Sequence, residues 1–330
     1  MPTHRVGRIL RIASAFGLAA VLAGTVAASA AGAQGAVTFG GVGKSAVWYW
    51  FDVQKGMEIS AKPLGAKIVF QNPTTADPAQ QVNELNGFIA QHVAGIAYSA
   101  SDPAAMAAVT HKAIAAGIPV VMFDSDAPQS GRLVYVGANA VQGGLLAGRE
   151  MVKLLHGTGT VAIQVGSLTA LNAKQRIQGF MEGIKGSHIK VIATENDNED
   201  PATATTQARE LLASHPDLSA FMGIYAYDAA AEATAVEAAH RAGKTMIVGW
   251  DNQPGMAQLI QKGVVQATVF DNEQMYGQVA TIILYDMHTF GVGPTLAMFG
   301  FSDKGNLANN VVSTPVVMVT KDNLHSVSGF

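Results

Sequence analysis

The stretch VVMFDSDAPQSGR, residues 120–132, decides how the rest of the sequence is interpreted. Its first four residues are apolar and predict a strand buried on both faces, which is typical of a parallel sheet. Asp124 and Asp126 follow directly, and Pro128 indicates a turn. Carboxylates at the end of a buried strand are expected either to cap the next helix or to contact a ligand.

The same pattern recurs along the chain, where apolar runs alternate with amphipathic stretches that end at Gly or His-Pro. Within each half, successive runs begin roughly 30 residues apart, which is the spacing of βαβ units. We therefore predict an α/β fold with two doubly wound parallel-sheet lobes. Residues 291–310 are rich in Gly and Asn and predict a loop, and residues 311–320 predict one last strand. The apolar runs begin at Ala36, Lys67, Val93, Pro119, Leu133, Thr160, Ile189, Ser219, Thr245 and Val265.

The first 33 residues predict a secretory signal peptide. Three arginines precede an apolar run, residues 12–28, and Ala31 and Ala33 fit the small-residue rule for cleavage near Ala33. The expected location is the periplasm. A membrane anchor is the alternative, but the run is short and rich in Ala and Gly. The chain has no Cys, which excludes disulfides and a cysteine-linked lipid.

The remaining residues, about 297, are enough for two domains. The whole chain has 21 basic and 24 acidic residues, and the leader contains three of the basic ones and no acid, so the remainder has a net charge near −6. This charge disfavours nucleic acid and anionic membrane surfaces as partners.

Acids and large aromatics gather after the predicted strands, where ligands of open parallel sheets bind. Carboxylates accept hydrogen bonds from adjacent hydroxyls, and aromatic rings suit the CH face of a sugar. The pattern therefore indicates a polyhydroxylated ligand. Helix capping remains the alternative for each single Asp, most of all for Asp102 before Pro103.

Other chemistries are disfavoured. The segment FGGVGKSA resembles a phosphate loop, but Thr38 stands where that motif requires its first Gly. The nine His are scattered, so neither a metal site nor a cofactor is expected. The acidic segment 196–201 lacks the central Gly of a calcium loop, and we interpret it as a loop with a helix cap.

Five segments together resemble one known family: IPVVMFDSDAP from Ile118, VGANAVQGGLLAG from Val136, LNAKQRIQGF from Leu171, LLASHPDLSAFMG from Leu211 and IVGWDNQP from Ile247. The chain resembles periplasmic substrate-binding proteins of ABC importers, in the ribose-binding-like group, which is also similar to the effector domains of LacI-type repressors. No helix-turn-helix precedes the first strand, so a repressor is disfavoured. The resemblance implies a type I fold with a three-segment hinge, a first lobe of residues 34–138 plus 272–318, and a second lobe of 139–271 plus 319–330.

The resemblance also implies which residues contact the ligand. The sequence departs from the family pattern at Ser99, where the family has Asn, at Ser125, where it has Arg, and at Asp271, where it has Gln. Asp126 is expected to fill part of the space that the family's arginine occupies. Arg176 is expected to contact the ligand, and the alternative is that it has a structural role instead. The expected ligand-binding residues are Lys44, Tyr49, Trp50, Ser99, Asp124, Asp126, Asn172, Lys174, Arg176, Tyr225, Trp250, Asp251 and Asp271.

The function expected from these residues is capture of a sugar or polyol between two closing lobes. By the resemblance, a monomeric, non-enzymatic receptor would deliver this ligand to the membrane permease of an ABC importer. Two alternatives stay open: a ligand-dependent partner of a chemoreceptor or sensor kinase, and a periplasmic carbohydrate-acting enzyme. Lys44 and Lys174 leave room for an acidic sugar, whereas the many aspartates favour a neutral one.

Overall fold

The computed structural model describes residues 36–330, so the signal peptide expected at residues 1–33 lies outside the described residues. It contains two sheets in two α/β lobes, as the sequence predicted, and each sheet has six strands. The first sheet has the strand order β11-β5-β4-β3-β1-β2, and all of its strands are parallel. Its strands are β1 (Thr38–Val42), β2 (Lys67–Gln71), β3 (Gly95–Tyr98), β4 (Val120–Phe123), β5 (Val134–Ala138) and β11 (Val311–Thr314).

The second sheet repeats this build with the order β12-β10-β9-β8-β6-β7. Five of its strands are parallel, and β12 at the edge is antiparallel to β10. Its strands are β6 (Thr158–Val165), β7 (His188–Asn196), β8 (Ala220–Gly223), β9 (Met246–Trp250), β10 (Ala267–Phe270) and β12 (Val317–Thr320). The central strands of both sheets are fully buried, which explains their continuous apolar sequences.

Helices cover both sheets. Three of them begin at an Asp-Pro pair, in which the carboxylate accepts from backbone N–H groups of the first turn and Pro occupies the first helical position. These capping residues are Asp77, Asp102 and Asp200. The helices are α1 (Trp48–Ala61), α2 (Pro78–Ala90), α3 (Pro103–Ala115), α4 (Ala140–Leu154), α5 (Leu171–Gly183), α6 (Pro201–Ser214), α7 (Asp228–Ala238), α8 (Met256–Lys262), α9 (Glu273–Phe290) and α10 (Val292–Met298).

The chain passes three times between the sheets: after β5, after β10 and between β11 and β12. The last passage corrects two expectations. Residues 311–320 form two strands, one in each sheet, because Pro315 interrupts the run and cannot donate a ladder hydrogen bond. Residues 317 and 318, which we assigned to the first lobe, therefore pair with the second sheet. Residues 291–310 include α10 and a short 3-10 helix, where we expected only a loop.

Glycines allow two helix pairs to pack with their backbones almost in contact. In the pair α4–α5, a methyl group on Gly144 would overlap the backbone carbonyl of Arg176, and one on Gly179 would overlap the carbonyl of Val141. In the pair α1–α9, Gly56 and Gly277 make equivalent approaches. The close contact between α4 and α5 fixes the position of α5 relative to α4. It therefore also fixes the position of the buried Arg176 side chain on α5.

Three carboxyl groups are buried behind the sheet edge of the second lobe. Asp197, Asp228 and Glu232 each expose 1% or less, and neither oxygen of Glu232 has a hydrogen-bond partner within residues 36–330. Burial raises the pKa of Glu232 well above its ordinary value, and the charge of Asp197 raises it further. Burial likewise raises the pKa of Asp228 and brings that of Asp197 to about 6. Glu232 therefore lies in an environment that favours its protonated form.

We expect Gly144→Ala to lower the free energy of unfolding by about 1–3 kcal/mol, because the added methyl group overpacks the α4–α5 contact. Gly87→Ala in α2 is the matched control, since nothing lies within 4 Å of the added atom. It should leave stability unchanged or raise it by about 0.5–1 kcal/mol. Urea unfolding measures both, and equal stabilities of the two variants would contradict the close contact.

We expect the free energy of unfolding of Glu232→Gln to become larger than that of the parent protein as pH rises. Below about pH 4 the glutamate is protonated in both the folded and the unfolded chain, so its ionisation has no effect. Above that, the unfolded chain releases the proton and the folded chain keeps it, which costs the parent about 1.4 kcal/mol per pH unit up to the folded pKa. Gln cannot ionise and avoids this loss.

Urea unfolding at pH 4, 5.5 and 7 measures the difference between Glu232→Gln and the parent. Glu210→Gln, at an exposed glutamate, controls for the loss of one carboxylate. A difference that stays constant across the three pH values would show that Glu232 is ionised in the folded protein.

Candidate ligand-binding site

Asp124 stands at the centre of the site, directly after the buried strand β4. Its backbone is left-handed, with φ 58°, and its side chain is 3% exposed. Within its own lobe it accepts hydrogen bonds from the Tyr49 hydroxyl at 3.1 Å and the Ser99 hydroxyl at 2.8 Å. The next helix along the chain begins at Ala140, so Asp124 does not cap a helix.

Two side chains of the other lobe also reach Asp124. Asn172 and Arg176 lie four residues apart on α5, so they share one face of the helix. The Asn172 amide donates to Asp124 Oδ1 at 3.0 Å, and a guanidinium nitrogen of Arg176 lies 3.5 Å from the same oxygen. Asp124 therefore joins the two lobes across the cleft.

Asp251 occupies the equivalent position of the second lobe. It follows β9, its φ is 60°, and it is 1% exposed. The neighbouring Trp250 ring lies under the Arg176 guanidinium, 4.2 Å from its carbon to the ring centroid, and its indole N–H donates to Asp271 at 3.1 Å. Asp271 also lies 3.4 Å from Arg176. Arg176 is thus fixed by stacking and by carboxylates of both lobes.

Lys44 forms a second polar contact between the lobes. Its ammonium donates to the Tyr225 hydroxyl at 3.1 Å and lies 3.7 Å from Asp124 and 3.5 Å from Glu199. Ser45 donates to the other oxygen of Glu199. Burial by itself lowers the pKa of Lys44, but Tyr225, Glu199 and Asp124 together raise it above its ordinary value. Lys44 is therefore charged, and each of its three N–H groups has an acceptor of the protein nearby.

These side chains line a cavity that is small in this structure: the centre of a water molecule can occupy only about 20 Å³ of it, whereas small-molecule sites usually have volumes of roughly 300–1,000 Å³. The edges and faces of four aromatic rings form much of its wall. Trp50 Nε1 and Asp251 Oδ1 are buried and have no hydrogen-bond partner within the described residues. The lining residues are Lys44, Val47, Tyr49, Trp50, Asp124, Asn172, Arg176, Glu199, Tyr225, Ala226, Tyr227 and Asp251.

Most of the residues expected at the site come together here. Ser99, Trp250 and Asp271 lie behind the cavity wall and bind the residues that line it. The structure does not bring Lys174 to the cavity, since it lies two residues from both Asn172 and Arg176 and points to the exposed face of α5. The residues expected to contact the ligand that do line the cavity are Lys44, Tyr49, Trp50, Asp124, Asn172, Arg176, Tyr225 and Asp251.

Asp126 is also placed elsewhere. It forms a bidentate ion pair with Arg132, with N···O distances of 2.7 and 2.8 Å. Arg132 also donates hydrogen bonds to the backbone carbonyls of residues 307, 308 and 310. Asp126 therefore anchors the segment before β11, and it is not among the residues that line the cavity.

Four lining residues were missed by the sequence analysis: Val47, Glu199, Ala226 and Tyr227. Glu199 belongs to the acidic segment that we interpreted as a loop with a helix cap. Asp200 does cap α6, but Asn198 and Glu199 before it are left-handed, with φ 57° each, and Glu199 points to Lys44. The position of an acid after a strand, here β7, was the available signal.

Residues 36–330 contain no group of three or more His, Cys, Asp or Glu residues arranged to hold a metal ion. In the same part of the chain, no helix has the length and apolar character needed to cross a membrane.

Comparison with known proteins identifies relatives of this chain in sequence and in fold. Over 250 residues the chain is 28% identical to the D-ribose/D-allose-binding protein of Pseudomonas aeruginosa, covering 74% of this chain and 75% of that protein. A solute-binding protein of an ABC transporter from Burkholderia graminis, solved with D-arabinose, superimposes with a TM-score of 0.80 at 29% identity, covering 88% of this chain and 97% of that one. The structure of a XylFII–LytSN complex matches with a TM-score of 0.77 at 27% identity, covering 87% and 98%.

The family model described as "Periplasmic binding protein domain" matches residues 39–293. This match covers most of the described chain and includes both lobes and two of the three passages between them. The protein therefore belongs to the periplasmic binding protein family, as its sequence motifs and its two-lobed α/β fold predicted.

Proposed function

We propose that the protein is a periplasmic solute receptor that captures one neutral monosaccharide or polyol between its two lobes. The observation that carries this proposal is the composition of the cavity wall. Carboxyl groups of both lobes and four aromatic rings face one small volume. Carboxylates bind adjacent hydroxyl groups, and rings pack on apolar CH faces, so the wall complements a small polyhydroxylated ring.

The charges of the wall favour a neutral ligand over an acidic one. Lys44 already has Asp124 and Glu199 as partners, and Arg176 has Asp124 and Asp271. The exposed Lys174 contributes nothing to the cavity. An acidic sugar would therefore meet an excess of carboxyl groups and no uncommitted cation, which costs free energy in a buried site.

The arrangement supports binding rather than hydrolysis. Glycoside hydrolysis uses two carboxyl groups on either side of the bond that breaks, one of them an available acid or base. Asp124 accepts three hydrogen bonds and faces two cations, and Glu199 is held by Ser45 and Lys44. The two groups are therefore not arranged as a free catalytic pair, and two of the relatives reported above are binding proteins by name.

We further propose that the mature protein acts as a monomer in the periplasm and delivers its ligand to the permease of an ABC importer. Closure on the ligand brings surfaces of both lobes into one arrangement that a membrane partner can recognise. The relative solved with D-arabinose carries the name of an ABC transporter solute-binding protein, which supports this partner.

A second candidate is a receptor whose closed form is recognised by a sensor protein. The structural match to a XylFII–LytSN complex favours this possibility, because XylFII was solved there with a second protein. Co-purification of the ligand-bound protein with a permease, and not with a sensor domain, would exclude this alternative.

We expect neutral aldoses to raise the melting temperature of the protein and to change its tryptophan fluorescence, because Trp50 lines the cavity and Trp250 lies behind Arg176. The panel contains D-ribose, D-allose, D-arabinose and ribitol, with glucuronate and ribose 5-phosphate as acidic counterparts. The acids should give no shift at concentrations where a neutral member saturates. Binding of an acid alone would overturn the neutral ligand, and no binding by any member would overturn the proposed function.

We expect Asp124→Asn to raise the dissociation constant of the neutral ligand by about 10- to 100-fold. The substitution removes the charge that pairs with Lys44 and Arg176, and hydrogen bonds to charged groups contribute about 1.5–3 kcal/mol each. Isothermal titration calorimetry measures the change.

Asp77→Asn is the matched control for this experiment. Asp77 caps α2 by accepting from the backbone N–H of Ala79, and Asn caps helices equally well. Its dissociation constant should equal that of the parent. Equal affinities of Asp124→Asn and Asp77→Asn would remove Asp124 from the binding site.

A further inference from the structure

The Lys44 ammonium group contacts the same parts of the cavity wall that a sugar would use. Its nitrogen lies 5.3 Å from the centroid of the Trp50 ring and 4.6 Å from the centroid of the Tyr225 ring. It donates to the Tyr225 hydroxyl at 3.1 Å and lies near the carboxylates of Glu199 and Asp124. All five residues line the cavity.

With Lys44 in this position, the cavity has no room for a monosaccharide. The centre of a water molecule can occupy about 20 Å³ of it, and about 10–15 Å³ of such space is needed for one water. A sugar of five or six carbon atoms is several times larger than a water molecule. Part of the wall therefore has to move when a sugar binds.

Arg176, the other cation of the wall, is fixed to its own lobe. Its guanidinium carbon lies 4.2 Å from the centroid of the Trp250 ring. The guanidinium also donates to the backbone carbonyl of Ile224 at 3.0 Å and lies 3.4 Å from Asp271. These three partners belong to the lobe that carries Arg176, so a ligand would have to break several contacts to displace it.

Lys44 is held less firmly. Its nitrogen lies 3.1 Å from the Tyr225 hydroxyl, 3.5 Å from Glu199 and 3.7 Å from Asp124, whereas charge-assisted hydrogen bonds of this kind are about 2.7–2.9 Å long. The ammonium stands on a flexible four-carbon stem, and the chain reaches the surface two residues later, at the exposed Ala46. Lys44 is therefore the charged group of the wall that a ligand displaces most easily.

The backbone before Lys44, in contrast, is fixed. The Gly43 N–H donates to the carbonyl of Gln71 at 3.0 Å, and its carbonyl accepts from the Gln81 side chain at 2.8 Å. A methyl group on Gly43 would overlap the Trp50 ring, so only Gly fits here. The Lys44 stem therefore begins beside the cavity wherever its ammonium lies.

We propose that the Lys44 ammonium is an internal occupant of the ligand site, which a sugar or polyol displaces when it binds. This inference rests on the proposed function, since it concerns the same cavity. It makes Lys44 a specificity-determining residue, because a molecule binds only if its contacts with the wall are more favourable than those of the ammonium. The alternative is that Lys44 stays in place and contacts the ligand, as the resemblance implied.

The ammonium and a sugar present similar groups to the wall. An ammonium has three N–H donors, and the hydroxyl groups of a sugar donate to the same oxygens of Asp124, Glu199 and Tyr225. Aromatic rings accept a cation on their faces, and they also pack against the CH groups of a sugar. The two therefore compete for one place, and the dissociation constant of the sugar rises with the fraction of molecules in which Lys44 fills it.

The first test is titration calorimetry of the full mature chain with D-ribose, D-allose, D-arabinose and ribitol. We expect Lys44→Ala to lower the dissociation constant by about tenfold or more, which is the effect of removing a competitor that fills nine sites in ten. Lys185→Ala is the control, since that side chain is 73% exposed, and it should bind like the parent.

A dissociation constant of Lys44→Ala equal to or higher than that of the parent would overturn the inference and leave the proposed function intact. If neither the parent nor Lys44→Ala binds any of the four compounds, both are overturned. A merely structural role of Lys44 predicts weaker binding, because its bond to Tyr225 joins the two lobes. The sign of the change therefore separates the two roles.

The second test uses n-propylammonium, which replaces the atoms that Lys44→Ala lacks beyond Cβ. At millimolar concentrations and constant ionic strength it should compete with the sugar in Lys44→Ala. It should not compete in the parent, whose own ammonium fills this position. The neutral 1-propanol is the control and should have no effect on either protein. Absence of competition in Lys44→Ala would overturn the assigned position of the ammonium.

Glu199→Gln provides a further test if Lys44→Ala does not fold. Gln keeps an oxygen that can accept from Ser45 and from a sugar hydroxyl, but it removes a charge that holds the Lys44 ammonium. Hydrogen bonds with a charged partner are stronger than neutral ones, so the ammonium loses more than the sugar, and we expect binding about threefold tighter or more. Equal or weaker binding would overturn the inference.

Discussion

The structure depends on one buried carboxylate that both lobes share. Taking the charge of Asp124 out of water costs several kcal/mol unless it is paired and hydrogen-bonded. Its own lobe supplies the hydroxyls of Tyr49 and Ser99, and the other lobe supplies Asn172 and Arg176. Because half of these partners arrive only when the lobes meet, the most favourable environment of Asp124 exists only in the closed protein. Closure and the formation of the site are therefore one event.

Backbone geometry explains why some aspartates serve the site and others cap helices. Asp77, Asp102 and Asp200 each precede a proline, which fixes the first helical residue and directs the carboxylate to the N–H groups of that turn. Asp124 and Asp251 lack a following proline, and their left-handed backbone turns the chain away from an immediate helix. Their carboxylates then remain at the edge of the sheet, facing the other lobe.

The fold and the family could be predicted from the sequence because both depend on local, repeated patterns. The exposure of Lys174 was also open to prediction, since a residue two positions from Asn172 and Arg176 lies on the other side of a helix. For Glu199 the sequence offers only the weak signal of an acid after a strand, because its contact with Lys44 joins residues more than 150 positions apart in the chain. The single strand predicted for residues 311–320 was wrong, because Pro315 divides this apolar run into two strands that belong to different sheets.

Contacts between the lobes also determine how much free energy the ligand has to contribute to closing them. Three hydrogen bonds join the lobes through protein atoms alone: Lys44 to Tyr225, Ser45 to Glu199 and Asn172 to Asp124. These bonds give the closed form a stability of its own, so the ligand has to supply only the remaining difference between the open and the closed protein. The same bonds fill part of the cleft and commit both cations. The contacts that make closure easier therefore also make the cavity small and leave neither Lys44 nor Arg176 free to pair with a negatively charged ligand.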